Sequence, residues 1–259
     1  MDAPAVPRLK VCCIGSVDEL RLAERLGADA VGLVGPMPSG PGVIPDAAIA
    51  EIARSVPPPV MSVLLTSATD ADEIARQADA AGVGAVQIVD RVSVATLARL
   101  RVAAPGRSLW QVVHVGGPEA IAEAESVARH VDAVLLDSGN PSAAVKELGG
   151  TGRVHDWTVS RRIRERLNVP VLLAGGLRPD NVASAVARVG PVALDVCSGV
   201  RTAGTLDAGK LSALCAAAGV RPGASDVPTS RSSRPERPPP AGRPCPRHSR
   251  RRTPAGLRS

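Results

Sequence analysis

The chain has 259 residues, 44% hydrophobic and 22% charged, a composition ordinary for a globular protein and a length that allows one large domain or two small ones. It holds no Phe, no Tyr and only two Trp, Trp110 and Trp157, so packing falls to Val, Leu, Ile and Ala, and the stacking platforms of a single-stranded nucleic-acid binder are missing. The net charge of +6 belongs to the end of the chain, where residues 221–259 carry ten Arg against Asp226 and Glu236 and leave the remainder at −2.

Leu9–Ile14 is the first apolar run and reads as a strand. The helix Ser16–Leu26 follows, with Ser16 and Glu19 spaced as a capping box and Gly27 as its stop. Next come the strand Ala30–Val34, the helix Pro45–Ser55, the strand Val60–Leu65 and the helix Asp70–Ala80. Ala85–Val89, Ser93–Ala103, Trp110–Val115 and Pro118–Arg129 repeat the alternation of strand and helix. Ala133–Leu136, Thr158–Leu167, Val171–Ala174, Pro179–Arg188, Ala193–Cys197 and Asp207–Ala217 complete it. The strands are predominantly apolar runs rather than alternating ones, as expected of parallel strands covered on both faces. Pro45, Pro118 and Pro179 are expected at the first helical position, where a missing N–H costs nothing.

The segments GADAVGL (27–33), GVGAVQI (82–88) and HVDAVLL (130–136), with GPVALDV (190–196) as a looser copy, each join a helix stop to a strand. They mark repeated βαβ units. Eight units in about 210 residues predict an α/β fold, a single (β/α)8 TIM barrel over residues 1–220. An open doubly wound sheet would want a nucleotide fingerprint after its first strand, and VCCIGS is not one.

Residues 221–259 hold nine Pro and read as a disordered, Pro/Arg-rich tail that cannot bury enough apolar area to offset its ordering entropy. It is expected to be a solvated extension, without nucleic-acid contact, because no aromatic or recognition motif accompanies its Arg residues. The five cysteines, Cys12, Cys13, Cys197, Cys215 and Cys245, are odd in number and show no CxxC or CxxH spacing. Neither a disulfide framework nor a metal site is expected, and a reducing compartment is. MDAPAVPRLK has no apolar stretch suited to a signal peptide and no run reaches membrane-spanning length, so the expected location is the cytoplasm, without membrane contact.

In a barrel of this kind the loops that follow the strands form the functional face. Three such loops are glycine-rich: Gly149–Gly152, reached after Asp137, then Gly175-Gly176, and then Ser198-Gly199. Gly150, Thr151, Gly152, Gly175, Gly176, Ser198 and Gly199 are therefore expected to bind a phosphate. Glycine lets backbone N–H groups come close, and a helix start adds partial positive charge. Asp137 directly follows an apolar run, which suits either an acid–base group at the barrel mouth or a cap for its own loop, and position alone leaves both open. Cys12 and Cys13 are adjacent in the first strand, so alternation points only one into the mouth. A buried Cys is as readily packing. His114 reads as a core or supporting residue, and Cys197 and Cys215 as packing.

Several segments together resemble the phosphoribosylanthranilate isomerase family. They are Lys10-Val11-Cys12-Cys13-Ile14, Leu135-Leu136-Asp137-Ser138, Gly149-Gly150-Thr151-Gly152 with Asp156-Trp157, Leu172-Leu173-Ala174-Gly175-Gly176-Leu177 with Pro179, Asn181 and Val182, and Asp195-Val196-Cys197-Ser198-Gly199-Val200. The family pattern is KxCGI, LLD, GGTG…FDW, LAGGLxPxNV and DxSSGVE, and it runs in the same order over about residues 9–217. The resemblance implies a cofactor-free Amadori rearrangement in tryptophan biosynthesis, which converts an aminoaldose phosphate to an aminoketose phosphate. It implies Cys12 as the general base and Asp137 as the general acid. Such a pair asks for a thiol pKa lowered and a carboxyl pKa raised.

Four departures from that pattern bear on the substrate. Cys13 stands where the family has Gly, and Pro41 where the family has the Arg that meets the anthranilate carboxylate. Gln87-Ile88-Val89-Asp90 replaces QLHG, and Arg201 replaces the Glu of SSGVE. Three readings stay open: the isomerase of tryptophan biosynthesis, a divergent isomerase of another aminoribosyl phosphate, and a non-catalytic barrel that binds sugar phosphates. The expected assembly is a monomer or homodimer.

Overall fold

The computed structural model describes residues 6–139 and 152–220. The eight strands Arg8–Val11 (β1), Ala30–Val34 (β2), Met61–Thr66 (β3), Ala85–Ile88 (β4), Ser108–His114 (β5), Ala133–Asp137 (β6), Val171–Leu173 (β7) and Ala193–Val196 (β8) close into a parallel barrel. Closure is direct, since Val11 is in register with Val31 on one side and Val196 on the other. The helices are Val17–Arg25 (α1), Asp46–Ser55 (α2), Ala71–Ala81 (α3), Val94–Ala103 (α4), Ala120–Ala128 (α5), Trp157–Arg166 (α6), Val182–Val189 (α7) and Ala208–Ala218 (α8). A single 3-10 turn, Ser198–Val200, and a two-residue hairpin of Arg201–Thr202 (β9) with Thr205–Leu206 (β10) lie between β8 and α8. The tail expected at residues 221–259 lies outside the described residues, as do Gly150 and Thr151.

The local reasons for the helices are written in the sequence. Ser16, Asp70, Ser93, Asp156 and Asp207 each accept a backbone N–H from their own first turn. Gly82, Gly190 and Gly219 close α3, α7 and α8 in the left-handed conformation that suits glycine. The three prolines sit elsewhere than expected. Pro45 is the cap of α2, while Pro118 and Pro179 precede the caps Glu119 and Asn181. Their helices begin with tighter turns, in which Ala120 N–H donates to Gly117 O and Asn181 N–H to Arg178 O.

Two apolar layers result. Between sheet and helices lies the larger one, with Leu9, Val31, Leu64, Ile74, Leu97 and Leu211 among its fully buried members. Inside the barrel lies a smaller one in which Trp110 packs with Val63, Leu135 and the alanines 30, 85, 133 and 193. Small side chains around one large ring fill the interior of a barrel otherwise lacking aromatics. Lys10 also points inward and is buried. Gly32 in β2 makes room for it, because a Cβ there would stand 3.1 Å from Lys10 Nζ and 2.9 Å from Cys12 Sγ.

Candidate active site

The cavity at the carboxyl ends of the strands is lined by Cys12 and Cys13 after β1, Ser39, Gly40 and Pro41 after β2, Gln87 in β4 and Asp137 at the end of β6. Gly152, Gly175-Gly176 and Ser198-Gly199 complete its other side. The described site residues from the sequence therefore meet in one place.

Cys12 continues the β1 ladder by one residue, donating its N–H to Val196 O at 2.8 Å. The chain then leaves the strand. Cys13 takes φ +63°, in the left-handed region, and Ile14 N–H turns to Gly32 O. Strand alternation consequently stops before Cys13, and the expectation that only one of the two thiols faces the mouth is wrong: both are buried and both line the cavity. Cys13 Sγ reaches Pro41 O at 3.5 Å and lies 2.7 Å from Cys197 Sγ. Cys197 packs against the inner layer, as its sequence context suggested, and is also a half-buried cavity group. Hydrogen bonds with the other two thiols, and then burial, push the Cys13 thiol well above its ordinary range. The hydrogen bond with Cys13 lowers Cys197, against its burial and with help from the Arg201 charge. Cys215 packs as well: its Sγ donates to Leu26 O, and burial raises it to about 11.

Arg201, on β9, holds this corner together. It donates to the carbonyls of Cys12 and Cys13 and forms a partly buried ion pair with Glu19 Oε1 at 2.9 Å. Burial would lower the Arg201 pKa, but the hydrogen bond and charge of Glu19, with smaller contributions from Cys197 and Cys13, together outweigh that and raise it. Ser16 caps Glu19 N–H as the sequence suggested. The Glu19 carboxylate, however, turns to Gly15 N–H, Leu206 N–H and Arg201 in place of closing the box on Ser16. One acidic residue in the helix α1 is thereby tied to the segment that replaces the family's SSGVE ending.

Beneath the mouth, Lys10 Nζ and Asp195 Oδ1 form an ion pair of 2.8 Å with side chains 1% and 7% exposed. Burial alone would lower the Lys10 pKa, yet the Asp195 carboxylate, with a further contribution from Cys12, holds it above the ordinary value. Both residues lie in the sequence motifs, which assign them no role. The signal was present, because a charged residue inside a run covered on both faces needs a partner.

Asp137 is buried, and its Oδ1 accepts the N–H of Ser138 at 2.7 Å. His155, also passed over in the sequence, stands beside it: a Cβ placed on Gly175 would be 3.1 Å from Asp137 Oδ1 and 3.0 Å from His155 Nδ1. His155 Nε2 is 2.7 Å from Ser160 Oγ, and burial lowers its pKa against the pull of Asp137 and Asp156. The chain reads HDW where the family pattern reads FDW. His114 is buried with Nε2 3.0 Å from Val89 O, in keeping with a supporting role. Gln87 is buried against the cavity, with Oε1 lacking a partner among the described residues.

The glycines of the β7 and β8 loops are required by close approach. Gly176 has φ +62°, and a Cβ there would lie 2.7 Å from the Arg153 backbone. A Cβ on Gly199 would fall 1.9 Å from Leu177 O. Among the described residues, the N–H groups of Gly175, Gly176, Ser198 and Gly199 have no acceptor. Four such donors at the mouth form a surface suited to an anion.

Comparisons agree with this geometry. Residues 10–217 match the family model described as N-(5'phosphoribosyl)anthranilate (PRA) isomerase. An N-(5'-phosphoribosyl)anthranilate isomerase from Natronomonas pharaonis is 39% identical over 214 residues, 82% of this chain and 98% of the relative. A solved phosphoribosyl anthranilate isomerase from Thermotoga maritima superposes with a TM-score of 0.71 at 28% identity, covering 82% of this chain and 98% of that one. Another solved member of that name, in complex with reduced 1-(o-carboxyphenylamino)-1-deoxyribulose 5-phosphate, gives a TM-score of 0.69 at 26% identity over 82% and 98% of the two chains.

Proposed function

The chain belongs to the N-(5'-phosphoribosyl)anthranilate isomerase family, and from that premise we propose that it converts N-(5-phosphoribosyl)anthranilate to 1-(2-carboxyphenylamino)-1-deoxyribulose 5-phosphate in tryptophan biosynthesis. The observation that carries the reading is the meeting of Cys12, Asp137 and the glycine loops of β7 and β8 around one cavity. In the proposed mechanism the phosphate binds the N–H groups of Gly175, Gly176, Ser198 and Gly199, together with Gly150, Thr151 and Gly152. Asp137 gives a proton to the ring oxygen as the furanose opens, leaving a protonated Schiff base at C1. Cys12 then takes the C2 proton, and the resulting enolamine becomes the aminoketone by moving a proton to C1. Acid and base are returned at the end, so the reaction is a net isomerisation and needs no cofactor. The Lys10 ammonium, held protonated by Asp195, supplies positive charge near the Cys12 sulfur.

A second reading has one specific observation in its favour: Pro41 stands in the Arg position, and no Lys or Arg is among the described residues lining the cavity. A carboxylate on the substrate would lack its charged partner, so an aminoribosyl phosphate with another aglycone fits this end of the cavity. The experiment that separates the readings is rescue of a tryptophan auxotroph lacking the isomerase, with turnover of N-(5-phosphoribosyl)anthranilate by purified protein alongside. Rescue with turnover supports the first reading, and failure of both removes it.

The substrate partner is a phosphorylated sugar, and the protein acts as a monomer or homodimer in the cytoplasm. In support, no helix among the described residues is long and apolar enough to cross a membrane, and the four described cysteines are free thiols.

A further inference from the structure

We propose that Cys13 and Cys197 are a redox-sensitive pair that a hydroperoxide converts reversibly to a disulfide across the wall of the cavity. Neither residue belongs to the family pattern, which has Gly and Ser at these positions. Their sulfurs lie 2.7 Å apart on neighbouring strand ends, compared with about 2.05 Å for a formed S–S bond, so linkage asks for little movement. The left-handed φ of Cys13 is what turns its side chain toward β8, and Arg201 fixes that turn by donating to both carbonyls of the Cys12–Cys13 segment. Cys12 is a poor alternative partner for Cys13, because adjacent cysteines can join only by distorting the peptide between them.

The chemistry divides naturally between the two sulfurs. Cys197 is half-buried on the open cavity, and its hydrogen-bonded contact with Cys13, together with the Arg201 charge, favours its thiolate. The thiolate attacks the distal oxygen of the peroxide, breaking the O–O bond, and becomes a sulfenic acid as the alcohol or water departs. Cys13 then attacks the Cys197 sulfur, its proton leaving with the hydroxyl as water. Two thiols and one hydroperoxide give one disulfide, one alcohol (water, for hydrogen peroxide) and one water. The two electrons lost by sulfur are those gained by the peroxide.

The test uses the full chain, reduced and then exposed to a few equivalents of hydrogen peroxide, with free thiols blocked before peptide mapping without reductant. Most of the protein should show the Cys197 peptide joined to the peptide bearing Cys12 and Cys13, lighter by two hydrogens, and dithiothreitol should release it. The link should persist in Cys12→Ser and vanish in Cys13→Gly and Cys197→Ser. Glycine tolerates the left-handed backbone at position 13, so Cys13→Gly keeps the fold. Fragmentation of the wild-type cross-link assigns its sulfurs without any variant. A link through Cys12, a Cys12–Cys13 disulfide, or sulfinic acids without a cross-link each overturn the proposal. The readout is mass, so its outcome is independent of whether the isomerase reading holds.

Discussion

Replacing Lys10 with Met removes the cation from a carboxylate that has no solvent to fall back on. The two side chains are 1% and 7% exposed and 2.8 Å apart. Breaking a buried pair in this way costs about 3–5 kcal/mol, because the surviving charge is stranded. For a barrel of this size that corresponds to roughly 6–20 °C in Tm. The loss should depend on pH in a definite direction. Burial raises the Asp195 pKa, and only the Lys10 charge and its hydrogen bond oppose it. Without Lys10 the folded-state value lies further above the unfolded value of about 3.9, so the folded form binds more protons through that window. Stability then falls as pH rises through the window and levels off above the folded pKa. The difference between Lys10→Met and wild type should therefore shrink on going from pH 7 to pH 5. Urea unfolding followed by far-ultraviolet circular dichroism at both values measures it. The double variant Lys10→Met/Asp195→Asn should recover about 2 kcal/mol of the loss. A single variant less than about 1 kcal/mol below wild type, or a loss independent of pH, would refute the assignment of a stranded charge.

The other expectations concern the cavity and the chain end. Cys12→Ser and Asp137→Asn should each lower kcat by about 10² or more with little change in KM, measured as turnover of N-(5-phosphoribosyl)anthranilate, and full activity in Cys12→Ser would sink the proposed mechanism. Gly176→Ala forces a Cβ against the Arg153 backbone from a φ of +62°. It should weaken the thermal stabilisation by inorganic phosphate about tenfold in apparent Kd, while an unchanged phosphate response would put the anion elsewhere. Pro41→Arg should tighten the carboxylated substrate by about 1.5–3 kcal/mol, read as a fall in KM, and no change would mean that the aglycone does not meet this loop. A chain ending at Val220, just past α8, should keep its Tm and KM, and a loss of several degrees would show that the remaining residues pack on the barrel.

By itself the sequence determined the architecture. Eight predominantly apolar runs, each followed by a helical segment, bury both faces of every strand when the sheet closes into a barrel. Caps such as Ser16, Asp70 and Asp207 act within four residues, so their placement is a local matter. Asp137 and the glycines after β7 and β8 were legible for the same reason, since a strand end and its loop are adjacent in the chain. The prolines show where local reading begins to slip: first turns tightened by 3-10 bonds put Pro118 and Pro179 outside their helices.

What only the tertiary structure decided is every relation between distant segments. Period-two alternation sent Cys13 away from the mouth, but contacts from Arg201, 188 residues on, accompany a left-handed turn that returns it to the cavity beside Cys197. The pairing of Lys10 with Asp195 depends on β8 closing against β1, which no window of sequence contains. His155 comes to stand by Asp137 only because Gly175 leaves no side chain between them. In each case the deciding quantity is a distance across the barrel, set by closure of the sheet and not by propensity along the chain.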